Sequence, residues 1–137
     1  MEEIVFATNN QHKLGEIKHL VGSRYKIIGL EEKGINTEIP EDHNTLEENA
    51  MQKARFIFDA FKVHCFADDT GLEIAGLNGD PGVFSARYSL MGDPVYPEMK
   101  VNEGNIRKVL EKMEGIELRS ARFRTVIALI LHQNSYY

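Results

Sequence analysis

The sequence has one cysteine, Cys65, no excess of positive charge, and no apolar run near the roughly 20 residues that span a bilayer. Each scarcity removes a class of protein. A single thiol cannot close an internal disulfide, and its place in the apolar run Val63 to Ala67 reads as an inert core group. The N-terminus MEEIVFATNN has no basic stretch ahead of its apolar part, so neither a secretory leader nor a membrane span is predicted and a cytoplasmic protein is expected. A net charge of -5, from 16 Lys and Arg against 21 Asp and Glu, argues against a general nucleic-acid surface. It leaves room for a phosphorylated small molecule where a few cations gather locally. His12, His19, His43, His64 and His132 lack zinc-ligand spacing, and neither GxxxxGK(S/T) nor GxGxxG occurs. Repeats, low-complexity segments and linkers are absent, so residues 1–137 are read as one globular domain.

What is present centres on Phe66 to Leu72, FADDTGL. The run from Val63 to Ala67 predicts a buried strand, with Asp68 and Asp69 at its C-terminal end. That end is where ligands sit in open α/β sheets, and two acids there must be hydrated, paired or bound to a cation. A Mg2+ site and a solvated acidic turn both satisfy this pattern. Near the N-terminus, Ile4 to Ala7 predicts a strand, and Leu14, Ile17, Leu20 and Val21 the apolar face of a following helix. The turn between them, ATNNQHK, offers helix N-terminal N–H groups to an anion, or Asn9 or Asn10 simply caps the helix. Lys13 beside a positive helix end is electrostatically unfavourable, and a bound anion would relieve it.

Tyr25 to Leu30 predicts a second strand, followed by a polar loop with the acids Glu38, Glu41 and Asp42. Thr45 and Glu48 form a capping-box pattern before a helix with the face Ala50, Met51, Ala54, Ile57, Phe58 and Phe61. Leu72 to Leu77 predicts a strand that reverses at Asn78 to Gly82, and Ser89 to Lys100 an irregular loop. Val101 to Met113 predicts a helix with the face Ile106, Val109, Leu110 and Met113, and Phe123 to Leu131 a strand covered on both sides. Gln133 to Ser135 reads as a turn after it, where a partner strand should begin, so the sequence is expected to be a fragment.

Taken in order, FATNNQHKLGEIK, IPED, LEENAMQKA, FADDTGLE, GDPGVFSARYS and ARFRT resemble the inosine and xanthosine triphosphate pyrophosphatases over essentially the whole chain. The resemblance implies an α/β fold, an elongated mixed twisted β-sheet flanked by helices. It implies hydrolysis of non-standard purine nucleoside triphosphates (ITP, dITP, XTP) to monophosphate and diphosphate, which cleanses the nucleotide pool, in a cytoplasmic homodimer. It places the triphosphate on Thr8, Asn9, Asn10, Gln11, His12 and Lys13, with Lys53 also reaching phosphate and Thr70 beside the substrate. Mg2+ is implied on Glu41 and Asp69, with Asp69 the general base and Asp68 its neighbour. The family's glycine-rich FGYDP segment and Ser-His-Arg triplet, associated with reading the base, are absent here, so the C-terminal part is expected to be missing. The alternative is a nucleotide-binding but inactive fragment. Arg87 is read either as a phosphate or base contact or as a structural ion pair.

Overall fold

In the computed structural model, residues 2–91, 95 and 100–132 are described. The chain forms two compact units, Met1–Asp69 with Val126–Tyr137, and Thr70–Thr125.

In the first unit, β1 (Glu3–Phe6) lies between β2 (Lys26–Ile28) and β3 (Cys65–Ile74), parallel to both. Alternation along β1 sends Val5 to one face and Phe6 to the other. Val5, Ile28, Cys65 and Ala67 pack with Ala50, Ala54 and Ile57 of α2 (Leu46–Phe61). Phe6 and Ile27 pack with Leu14 of α1 (Gln11–Val21), and Phe66 stacks on Phe6 with ring centroids 4.4 Å apart. Burial on both faces is why these strands read as continuous apolar runs. Asn10 caps α1, and Gly22 closes it at φ 67. The capping box forms as expected, with the Thr45 hydroxyl accepting from Glu48 N–H at 3.1 Å.

In the second unit, β3 pairs antiparallel with the short β4 (Pro81–Gly82), matching Leu72 to Gly82. The reversal uses a 3-10 turn at Ala75–Leu77 and left-handed backbone at Asn78 and Gly79, then a cis Asp80–Pro81 bond. Gly71 is required at the pairing, because a Cβ there would run into the Gly82 carbonyl. The 3-10 helix Ser85–Leu90 packs on α3 (Val101–Lys112), with Ser89 N–H donating to Asn105 Oδ1 at 2.7 Å.

Several expectations change. β3 does not end at Asp68 but runs on to Ile74, so the acids lie within a strand and the solvated turn does not form. The strand predicted up to Leu77 gives way to the 3-10 turn, and β2 is confined to Lys26–Ile28. Leu20, Met51 and Phe61 are exposed, off the faces assigned to them. On α3 the buried positions are Gly104 and Lys108, while Ile106 and Leu110 face outward. Gly104 has no side chain to hold neighbours apart, and Lys108, 3% exposed, donates to the Tyr88 carbonyl at 3.0 Å and to that of Met91. Those carbonyls end a 3-10 helix and need donors, which outweighs the apolar pattern. Finally, β5 (Ala121–Ile130) is covered on one side only: Ala128 is buried, while Phe123 and Ile127 are 77% and 62% exposed. Gln133 to Ser135 and most of the predicted loop before α3 lie outside the described residues.

Candidate active site

The site grows out of strand geometry. Neighbouring residues of a strand point to opposite faces, so Asp68 shares the α1 side with Phe66, and Asp69 the α2 side with Cys65 and Ala67. Backbone pairing between β1 and β3 reaches Ala7 N–H to Phe66 O at 2.8 Å. The acids follow directly, where the parallel part of the sheet runs out.

On the α1 side, Lys13 Nζ donates to Asp68 Oδ2 at 2.9 Å, and Asp68 is 8% exposed. Asn10 Oδ1 accepts from Lys13 N–H at 3.1 Å, and Thr8 Oγ1 accepts from Asn10 N–H at 3.1 Å. The capping reading of the turn is the one the hydrogen bonds form. Asn10 is the cap, and Gln11 and His12 open a helix whose first N–H groups have no intrahelical acceptor. His12 is exposed and faces Glu16 at 2.9 Å, and Asn9 is exposed beside it.

On the α2 side, Lys53 Nζ lies 2.7 Å from Glu41 Oε1, with the lysine side chain only 12% exposed. The loop bearing Glu41 is pinned to the same helix. Asn49 Oδ1 accepts from His43 N–H at 2.8 Å, and Gln52 Oε1 accepts from Asp42 N–H at 2.9 Å. Gln52 Nε2 returns a bond to Asp42 Oδ2 at 2.9 Å. Positions 49, 52 and 53 stand three and four residues apart, so they form one polar stripe that receives the loop. Asn49 and Gln52 went unrecognised in the sequence. Their only signal is an amide inside an otherwise amphipathic helix, which is weak.

Glu41 and Asp69 offer carboxylate oxygens, the donors Mg2+ prefers. Among the described residues no three of His, Cys, Asp and Glu converge into a preformed cage. Mg2+ is commonly held by one or two carboxylates together with substrate phosphates, so this donor set fits that ion.

The sequence profile of the Ham1 family matches residues 4–137. The chain belongs to the Ham1 family. It is 47% identical over 131 residues to the dITP/XTP pyrophosphatase of Porphyromonas gingivalis, covering 95% of this chain and 64% of that protein. It is 42% identical over 132 residues to the Bacillus subtilis protein of the same name, covering 94% of this chain and 63% of that one. The solved Staphylococcus aureus Ham1 protein superposes with a TM-score of 0.82 at 35% identity, over 98% of this chain and 66% of that one. The chain thus spans just under two thirds of these Ham1 relatives, and its fold is theirs, a mixed sheet flanked by helices.

Two further positions complete the picture of this Ham1 chain. Thr70 Oγ1 is 2.8 Å from Thr125 Oγ1, a cross-strand hydroxyl pair that the sequence does not announce. The Arg87 guanidinium lies over the Phe84 ring, 5.4 Å from its centroid.

Proposed function

We propose that this chain hydrolyses non-standard purine nucleoside triphosphates, dITP, ITP and XTP, between the α- and β-phosphates. The observation that carries this reading is the pairing of Lys13 with Asp68 on one sheet face and of Lys53 with Glu41 on α2. A triphosphate brings about four negative charges, which a protein of net charge -5 must offset locally. Lys13 and Lys53 meet that need and exchange carboxylate for phosphate contacts when substrate enters. The first N–H groups of α1, at Gln11 and His12, add donors for a phosphate, with Thr8, Asn9 and Asn10 shaping the turn. Asp69 takes the proton from the attacking water, Asp68 holds Lys13 in place, and Thr70 lies beside the substrate. Glu41 and Asp69 would hold Mg2+, which when bound supplies Lewis-acid polarisation of the phosphoryl oxygens. The names of the Ham1 relatives support the substrate class. The reading extends to a cytoplasmic homodimer.

A second reading is nucleotide binding without turnover. One assay separates them. With Mg2+ and dITP or XTP, the first reading expects diphosphate release, faster than with dATP or dGTP and lost in EDTA. Triphosphate binding without diphosphate would support the second reading, and release of orthophosphate alone would overturn the first.

A further inference from the structure

A cavity lies at the ends of the parallel strands opposite Asp68 and Asp69, within the first unit. Its volume is about 270 Å³, and it is lined by Glu3, Val5, Lys33, Lys62, Val63, His64 and His132. Val63 and His64 immediately precede β3, and Glu3 begins β1, so the cavity stands roughly 13–17 Å along the strand from Asp68. The phosphate-facing residues named above play no part in it.

The cavity is rich in donors in a chain whose acids outnumber its bases, 21 to 16. Neither the Lys33 nor the Lys62 ammonium is in an ion pair among the described residues, and Lys62 instead lies 5.3 Å from the centroid of Phe58. Among the described residues Glu3 is the only acid in the lining, and it faces Lys26 at 3.3 Å. His132 N–H donates to His64 Nδ1 at 2.9 Å, which fixes the His64 tautomer with its hydrogen on Nε2. His64 also lines the cavity, its ring edge-on to that of His132, 6.4 Å away. Lys33, Lys62 and His64 thus line one concave surface on which, among the described residues, the Glu3 carboxylate is already partnered.

We infer that this cavity, formed where Lys33, Lys62, His64 and His132 meet below β1 and β3, binds a small phosphate-type oxyanion. Charge-assisted contacts from two lysines suit phosphate or diphosphate oxygens. The volume lies below the roughly 300–1,000 Å³ typical of sites for drug-sized ligands, which favours a free anion over a whole nucleotide.

The test is titration of the complete chain with inorganic phosphate, diphosphate and dITP in separate arms, following the imidazole resonances of all five histidines by NMR. Diphosphate or phosphate is expected to shift His64 and His132 with an affinity independent of any change at His12, which reports on the first turn of α1. In Lys33→Gln/Lys62→Gln those shifts should weaken at least about tenfold while the His12 response persists. Lys33→Arg/Lys62→Arg should retain them. Unmoved His64 and His132 resonances in the unaltered chain would overturn the inference, as would equal affinity in the double Gln variant. A silent His12 with responsive His64 would count against the proposed catalytic site alone.

Discussion

Lys13 Nζ and Asp68 Oδ2 meet at 2.9 Å across 55 positions of sequence, joining the first turn of α1 to β3. A lysine at a positive helix end is unfavourable by itself, and here a carboxylate from the sheet offsets it. The counter-charge that the sequence called for is thus supplied by the protein itself. Lys13→Ala should leave Asp68 buried without its partner and raise KM for the triphosphate by about 2 kcal/mol, roughly 30-fold. Steady-state kinetics check this, and unchanged KM and kcat would remove Lys13 from the site.

Asp69→Asn keeps the size of the side chain but cannot accept the proton of the attacking water. Diphosphate release should fall to background with far-UV circular dichroism unchanged. Turnover equal to the unaltered chain would mean that another group is the base.

Thr45→Ala removes the oxygen that caps α2 and should cost about 1 kcal/mol, seen as a drop of a few degrees in Tm. Thr45→Ser should recover most of it. The effect on KM should be larger than expected for a remote cap if the Glu41 loop, pinned four to eight residues along, loosens with it.

Burial pushes the Cys65 thiol up to about 11 from an ordinary value of 9.0, and its Sγ donates to the Ala54 carbonyl at 3.3 Å. A raised folded value means stability that is full below about pH 9 and declines as pH rises toward 11. Thiol titration at pH 8 should show no reaction in the folded chain and full reaction in denaturant. Rapid labelling of the native protein would contradict a core position.

Glu73 accepts from Arg122 Nε at 2.8 Å and Arg124 Nε at 3.0 Å, and the Arg122 bond first of all holds its carboxyl below the usual range. A lowered folded value gives stability that is present above the ordinary carboxylate value, about 4.5, and is lost as pH falls through the folded one. Glu73→Gln should flatten that acid limb in urea titrations run from pH 6 to pH 3. An identical limb in the variant would exclude Glu73 as its source.

The elements themselves were largely legible. A compact apolar run located β1, helical patterning located α1 and α2, and Thr45 with Glu48 marked the start of α2 to the residue. Periodicity failed where a polar group had a structural partner. Lys108 is buried because two carbonyls need its donors, although Ile106 and Leu110 made the other side of α3 look like the core. In β5, the same apolar run fits a strand covered on one face or two, because hydrophobicity records what a residue tolerates and not what lies over it.

By itself, the sequence determined the strand–turn–helix order and the capping of α2, and its resemblance to a known family gathered Asp68, Asp69, Lys13, Glu41 and Lys53 into one set of charged candidates. The first two follow from local backbone preferences and the third from the order of motifs, none of which needs knowledge of long-range contacts. Only the tertiary structure decided which charge meets which. Asp68 and Asp69 are adjacent in the chain yet point to opposite faces of the sheet, because β3 continues through them, and so Lys13 finds Asp68 while Glu41 is held on α2 by Lys53. Ion pairing depends on distances across elements, and no spacing along the chain encodes those.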